Sequence, residues 1–188
     1  MRSLLLVLVV FFSASAFAQK HMVEFNADSF LLGRLSFTST KYRNLDAEED
    51  KSGFVYLNYA YTILPQVQLG SQVSYNKYSW SQATSEGYEI LVGGIYNFTS
   101  DLNKSFYTSV YAGWSWNHES GTGQDIVHEE SFVSKVAFGK RFPLTFLNLE
   151  NFTYSPEVSF KSVNPTKRTD KEWEQDFSIK YLQFSVLF

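Results

Sequence analysis

The last ten residues constrain the fold of this chain more than any other segment. They read as one β-strand, residues 179–188. Apolar side chains occupy every second position of its final part: Leu182, Phe184, Val186 and Phe188. Alternate side chains of a strand point to the same face. One face of this strand is therefore apolar to its end, whereas the termini of soluble domains are usually polar and frayed.

The other end of the chain has the three parts of a secretory signal peptide. Arg2 supplies a positive charge, residues 4–12 form an unbroken apolar run, and Ala16-Phe17-Ala18 has small residues at the positions that a signal peptidase reads. The apolar run is too short to span a bilayer, which takes about 20 helical residues. We predict a signal peptide at residues 1–18 and one domain at residues 19–188.

The composition excludes several classes of protein. The chain contains no cysteine, so it holds neither disulfides nor a thiolate metal site. Its net charge of −3 is not that of a nucleic-acid-binding protein. Aromatic residues make up 18% of the chain, and no second apolar run is long enough for a membrane helix. Strands with one apolar and one polar face explain this mixture.

Alternating hydrophobicity predicts eight strands, at residues 30–43, 54–63, 67–80, 88–98, 105–117, 131–142, 152–163 and 179–188. Short links follow the second and fourth strands, and polar or charged, mostly longer links follow the first, third, fifth and seventh. Outer-membrane barrels have short periplasmic turns and longer external loops in this alternation. The sequence therefore predicts an all-β protein, an eight-stranded antiparallel up-and-down transmembrane β-barrel.

On this architecture and its terminal apolar series, the chain resembles the small eight-stranded bacterial outer-membrane barrels of the OmpX and OmpA-N-terminal type. The resemblance implies a Gram-negative outer-membrane location after export, a monomer, and no cofactor. It also implies contact with outer-membrane lipid, lipopolysaccharide and the barrel-assembly machinery. The assembly signal would be the terminal series Leu182, Phe184, Val186 and Phe188.

The expected role is non-enzymatic, structural or surface-interactive, and mediated by acidic external loops. The first such loop carries Asp46, Glu48, Glu49 and Asp50. At the start of the last strand and just before it, Ile179 and Phe177 fall on the opposite face from Phe188. Either a bulge interrupts that strand, or its upper part lies above the membrane.

Six charged residues fall on the polar faces of their strands: Arg34, Glu89, Lys135, Arg141, Glu157 and Lys161. An eight-stranded barrel is just wide enough to be filled by side chains, and buried charges must pair. We predict an interior salt-bridge network with hydrogen-bonded Gln72, Tyr107 and Tyr111. A narrow pore or carrier for small solutes is an alternative, as is a soluble periplasmic barrel with apolar faces inward.

The segment between the fifth and sixth strands leaves two further alternatives. A lipid A-modifying enzyme is one, because His118, Ser120 and Glu130 are similar to the catalytic set of lipid A deacylases. The roles would be base, nucleophile and orienting acid. A metal site is the other, with ligands drawn from His118, Asp125, His128, Glu129 and Glu130. We predict neither catalytic residues nor a bound metal, since the rest of the sequence favours a structural barrel.

Overall fold

The computed structural model describes residues 21–27, 34–40, 51–80, 83–121, 127–166 and 173–188. These ranges are almost entirely β-strand, with a single-turn 3-10 helix at Thr145–Leu147. No helix in them has the length and apolar character required to span a membrane. The all-β prediction is confirmed. The predicted signal peptide and the acidic residues 46–50 lie outside the described residues.

The strands are β1 (His21–Ala27), β2 (Arg34–Thr40), β3 (Lys51–Leu64), β4 (Val67–Trp80), β5 (Ala83–Asn97), β6 (Phe106–Gly121), β7 (Val127–Lys140), β8 (Phe142–Leu144), β9 (Leu149–Tyr154), β10 (Glu157–Pro165), β11 (Glu174–Lys180) and β12 (Gln183–Leu187). They form one antiparallel sheet in the order β2-β11-β10-β7-β6-β5-β4-β3-β1-β12-β9-β8. β3 to β7 make a meander of strands 14 to 16 residues long.

β1 brings the two ends of the described chain together. On one side it pairs with β3, with His21 opposite Tyr61. On the other side it pairs with β12, with Phe25 opposite Phe184. The first and last described strands are therefore neighbours in the sheet.

Short irregular segments separate three pairs of strands that follow each other along the chain. Arg141 lies between β7 and β8, residues 155–156 lie between β9 and β10, and residues 181–182 lie between β11 and β12. At the last of these the alternation changes phase, because Phe177 is exposed in β11 whereas Gln183 is buried in β12. The change of face predicted for the last strand thus occurs at a break in that strand.

The sheet carries its apolar side chains on the outside and its polar side chains on the inside. Leu57, Ile90 and Val136 are about half exposed. Gln68, Gln72 and Ser109 lie on the opposite face and are buried. A soluble barrel would have the reverse order, so the alternative of a periplasmic barrel with an apolar interior is wrong. The order is the one expected for a barrel surrounded by lipid.

The start of the predicted first strand is wrong. The prediction began near residue 30, whereas β1 begins at His21 and β2 follows at Arg34. Val23 and Phe25 face outward while Met22 and Glu24 are buried. The sequence from Met22 to Phe30 has partly extended character, and Glu24 fits a strand whose inner face is polar.

The predicted external loops are also shorter in the structure. β5 begins at Ala83, β6 continues to Gly121 and β7 begins at Val127, so residues 118–121 and 127–130 are strand. The polar residues of these segments continue the backbone pairing of the strands. In the same way, Glu86 at the start of β5 lies opposite Lys77 of β4. Residues 143–151, predicted as an unclear connection, form the end of β8, the 3-10 helix and the start of β9.

Candidate functional site

Glu157 is at the centre of a buried ion cluster inside the sheet. Its Oε1 atom lies 2.9 Å from Lys135 Nζ and 3.1 Å from Lys180 Nζ. β10 lies between β7 and β11, and its pairing places Glu157 directly opposite Lys180. The three side chains are at most 6% exposed. Two cations on one carboxylate leave an excess of positive charge, which requires a second anion nearby.

Glu24 on β1 provides that second carboxylate. It is 1% exposed. Glu24 Oε1 accepts hydrogen bonds from the Tyr56 hydroxyl at 3.4 Å and from Asn58 Nδ2 at 3.5 Å. The described interior therefore includes three cations, Lys135, Lys180 and Arg141, together with two carboxylates, Glu157 and Glu24.

Tyrosine rings fill the space around these charges. Lys180 Nζ lies 4.1 Å from the centre of the Tyr56 ring, close enough for a cation–π interaction. The Tyr107 hydroxyl donates to Glu157 Oε2 at 3.4 Å and accepts from Gln183 Nε2 at 3.3 Å. A Cβ atom at Gly139 would lie 2.5 Å from the Tyr107 hydroxyl. Glycine at that position thus leaves the room that the Tyr107 ring occupies.

Two other polar residues predicted for the interior join the same network. The Tyr111 hydroxyl donates to Asn58 Oδ1 at 3.1 Å. Lys135 Nζ also donates to Gln72 Oε1, at 3.4 Å. The network therefore extends from β1 and β3 across to β7 and β10.

Arg141 forms a second buried centre, at the irregular residue between β7 and β8. The side chain is fully buried, and its guanidinium carbon lies 4.5 Å from the centre of the Tyr107 ring. Nη1 donates to Asn97 Oδ1 at 2.5 Å and to the Leu102 carbonyl at 3.3 Å. A rigid guanidinium can serve several acceptors in different directions at once. Arg141 thus connects the interior to the turn that follows β5.

Glu89 and Lys161 form a third pair nearer the other end of the strands. Lys161 Nζ lies 3.2 Å from Glu89 Oε2, and the side chains are 27% and 15% exposed. Ser74 also donates to Glu89, at 3.5 Å. This pair is more accessible to water than the cluster around Glu157, so we expect it to contribute less to stability.

The six predicted interior charges thus fall at different places. Lys135 and Glu157 meet in one cluster, Glu89 pairs with Lys161, and Arg141 forms its own centre. Arg34 lies opposite Lys180 in the β2–β11 pairing, and its side chain is outside the described structure. Sequence reasoning missed Glu24 and Lys180. The signals that could have found them are the alternation around Glu24 and the change of face after Lys180.

Many large side chains of the described residues are buried on the inner face. Among the largest fully buried side chains of the described residues are Arg141, Tyr107, Tyr111, Met22 and Leu91. Within the described part of the chain, no group of three histidine, cysteine or acidic residues could hold a metal ion. Charged pairs, tyrosines and amides thus link the strands on the inner face.

The residues of the enzyme alternative lie on the outer face, at the ends of β6 and β7. His118 pairs across the ladder with His128, and their Nδ1 atoms are 3.2 Å apart. Trp116 is opposite Glu130, and Ser120 lies two residues beyond His118 on the same exposed face. Residues two apart on a strand are about 6.5–7 Å apart. The backbone of Ser120 is therefore about 6.5–7 Å from that of His118, whereas the His128 ring is within 3.2 Å of the His118 ring.

The terminal apolar series lies along β12 beside β1 and β9. Phe184 is opposite Phe25 and Tyr154, and Val186 is opposite Val23 and Phe152. Leu182 lies in the break before β12. The Phe188 amide donates to the His21 carbonyl at 2.9 Å, and the His21 amide donates to the Phe188 carbonyl at 2.8 Å. The series thus forms the outward edge of the seam between the first and last strands.

Solved structures share the fold of this chain. The chain is similar to Ail, the attachment invasion locus protein of Yersinia pestis, at 12% identity over 92% of this chain and 100% of that chain, with a TM-score of 0.56. A complex of Ail with the heparin analogue sucrose octasulfate gives 12% identity over 91% and 100%, with a TM-score of 0.55. Neisserial surface protein A gives 16% identity over 89% and 97%, with a TM-score of 0.51.

The chain has the fold of a small outer-membrane β-barrel protein. The structural neighbours are proteins of this kind, as the OmpX-like resemblance of the sequence implies. No protein-family model matches the chain, and no curated protein matches it. At 12% and 16% identity the likeness establishes the fold alone.

Proposed function

We propose that the chain is a sealed, monomeric, eight-stranded barrel of the Gram-negative outer membrane, with a structural or surface-interaction role and no enzymatic activity. One observation carries this proposal: the sheet is apolar outside, while the ion cluster around Glu157 is buried inside. Lipid surrounds the apolar outer face. The buried ion cluster blocks a continuous path for water through the barrel. The structural neighbours are outer-membrane proteins, which supports the location.

The pairing pattern supports eight membrane crossings. β7 with β8, β9 with β10, and β11 with β12 are each separated by only one or two residues, so each pair counts as one crossing. We count β1 and β2 as one further crossing, and β3, β4, β5 and β6 as one each. β8 pairs with β9, β9 with β12, and β12 with β1. Joined through β7 and β8, these pairings make a closed ring, which leaves no unpaired edge in lipid.

The surface role rests on the strands that continue beyond the aromatic row of the outer face. Tyr75, Tyr88 and Trp116 form this row across β4, β5 and β6, and aromatic rows mark the membrane interface. Beyond it the strands carry polar residues, such as Lys77 and Glu86. We propose that these extensions and the acidic loops contact lipopolysaccharide and external partners. Two neighbours are named for attachment or the cell surface.

The sealed interior predicts that the protein does not conduct ions. Refolded protein in planar bilayers is expected to give no stable conductance steps. A variant with Lys135, Glu157 and Lys180 all replaced by alanine is expected to raise ion permeability, because it empties the middle of the barrel. Steady channels from the unmodified protein would contradict the sealed barrel and favour the pore.

A changed lipid A acyl pattern in expressing cells would contradict the non-enzymatic role.

A further inference from the structure

A pair of histidines lies on the outer face, where β6 and β7 extend past the aromatic row. The register places His118 directly opposite His128. Their Nδ1 atoms are 3.2 Å apart and their ring centres 4.7 Å apart. The pair lines an open cleft of about 210 Å³ together with Trp116, Asn117, Glu129 and Glu130. The two imidazoles thus face each other beside a space large enough for several water molecules.

The neighbouring strands add a carboxylate beside the pair. Glu86 on β5 lies opposite His118, and Lys77 on β4 lies opposite Glu86. Lys77 Nζ contacts Glu86 Oε1 at 2.5 Å, which holds this carboxylate in place. The row of these four side chains is two residues beyond Trp116, about 7 Å further along the strands. It is therefore reached from water outside the apolar belt.

We propose that His118 and His128 chelate a divalent transition-metal ion of the Zn²⁺ class through their Nδ1 atoms. Zinc binds imidazole nitrogen at about 2.0–2.1 Å, so two such ligands at a tetrahedral angle are about 3.3 Å apart. The observed separation of 3.2 Å matches this bite. Because no group of three protein ligands converges in the described residues, oxygen donors from water or a nearby headgroup complete the coordination.

The ligand type sets the class of metal. Imidazole suits zinc, copper and nickel, whereas calcium and magnesium prefer sets of oxygen ligands. The site therefore differs from the carboxylate-rich loops, which would attract the hard cations of a lipopolysaccharide layer. It lies on the strand extensions to which the surface role is assigned, but two imidazole ligands can bind a metal whether or not these extensions contact lipopolysaccharide.

The three histidines of the chain provide a matched set of variants. We would titrate Zn²⁺ into the untagged, metal-stripped protein, folded in detergent, by calorimetry. One Zn²⁺ is expected to bind each chain, and binding is expected to be lost in both His118→Gln and His128→Gln. His21→Gln is the control, because His21 contacts Tyr59 and Phe188 at the seam instead, and this variant should bind as the unmodified protein does.

Two further measurements guard against a folding artefact and against non-specific binding. Each variant should retain the shift in gel mobility on boiling that marks a folded barrel, and excess Mg²⁺ should not displace Zn²⁺ from the histidine pair. The proposal is overturned if the unmodified protein binds no Zn²⁺, or if folded His118→Gln binds it equally well. It is also overturned if Mg²⁺ competes at concentrations similar to those of Zn²⁺.

Discussion

Replacing Glu157 with leucine is expected to destabilise the folded protein by about 3–5 kcal/mol. The substitution removes the carboxylate that lies 2.9 Å from Lys135 Nζ and 3.1 Å from Lys180 Nζ. It leaves two ammonium groups buried and short of negative charge, with Glu24 as a remaining buried carboxylate of the interior. Urea titration of both proteins in detergent micelles or lipid vesicles measures the difference between their free energies of unfolding.

Two further variants separate burial of charge from loss of an ion pair. Glu86→Gln breaks the exposed pair with Lys77 and is expected to leave the urea midpoint of unfolding almost unchanged, because solvent screens exposed ion pairs. Combining Glu157→Leu with Lys135→Met and Lys180→Met is expected to recover much of the lost stability, because a whole buried ion cluster can often be replaced by apolar side chains. If Glu157→Leu unfolds at the same urea concentration as the unmodified protein, water fills the interior and the barrel is not sealed.

Removal of Phe188 is expected to prevent most of the chain from assembling in the outer membrane. Phe188 exchanges two backbone hydrogen bonds with His21, and its ring stacks on the His21 ring with centres 5.6 Å apart. Loss of these contacts is expected to cost about 2–4 kcal/mol. They lie at the seam where β12 meets β1, so the cost falls on the closure of the barrel. The fraction of folded protein in isolated outer membranes measures the effect.

Substitutions at the same position distinguish the ring from the backbone. Phe188→Tyr keeps both and is expected to assemble normally. Phe188→Ala keeps the backbone hydrogen bonds but loses the ring, and should give an intermediate yield. Normal assembly of the chain lacking Phe188 would show that neither the seam contacts nor the terminal apolar series directs insertion.

The alternation of apolar and polar residues made the all-β fold and its orientation predictable. In the middle strands the outward residues are those that the pattern assigns, as with Leu57, Ile90 and Val136. This worked because every strand there has one lipid-facing and one interior face, so period two is visible over ten residues or more. The start of the first strand was less visible, because Glu24 interrupts an apolar segment.

Interior contacts were only partly predictable, because partners across a barrel depend on register. The polar face of each strand identified Lys135 and Glu157 as interior residues, but nothing local to either indicates that they meet. Lys180 was missed since the break at residues 181–182 changes the face on which the following residues lie. The facing pair of His118 and His128 was not predicted for another reason. The segments around both histidines are polar and were predicted as a loop, whereas in the structure β6 and β7 remain paired there.

A disulfide across the seam tests the closed outer-membrane barrel most directly. The chain has no cysteine, and Val23 lies opposite Val186 in the pairing of β1 with β12. Paired strand residues have Cα atoms about 4.5–5.5 Å apart, within disulfide range. The first double variant, Val23→Cys with Val186→Cys, places cysteines at paired positions of β1 and β12. The control, Val23→Cys with Val158→Cys, places them on strands that do not pair with each other. Both would be expressed in cells. A cross-link in the outer-membrane fraction of the first variant alone is the expected result, and a soluble periplasmic protein or an uncross-linked first variant would contradict it.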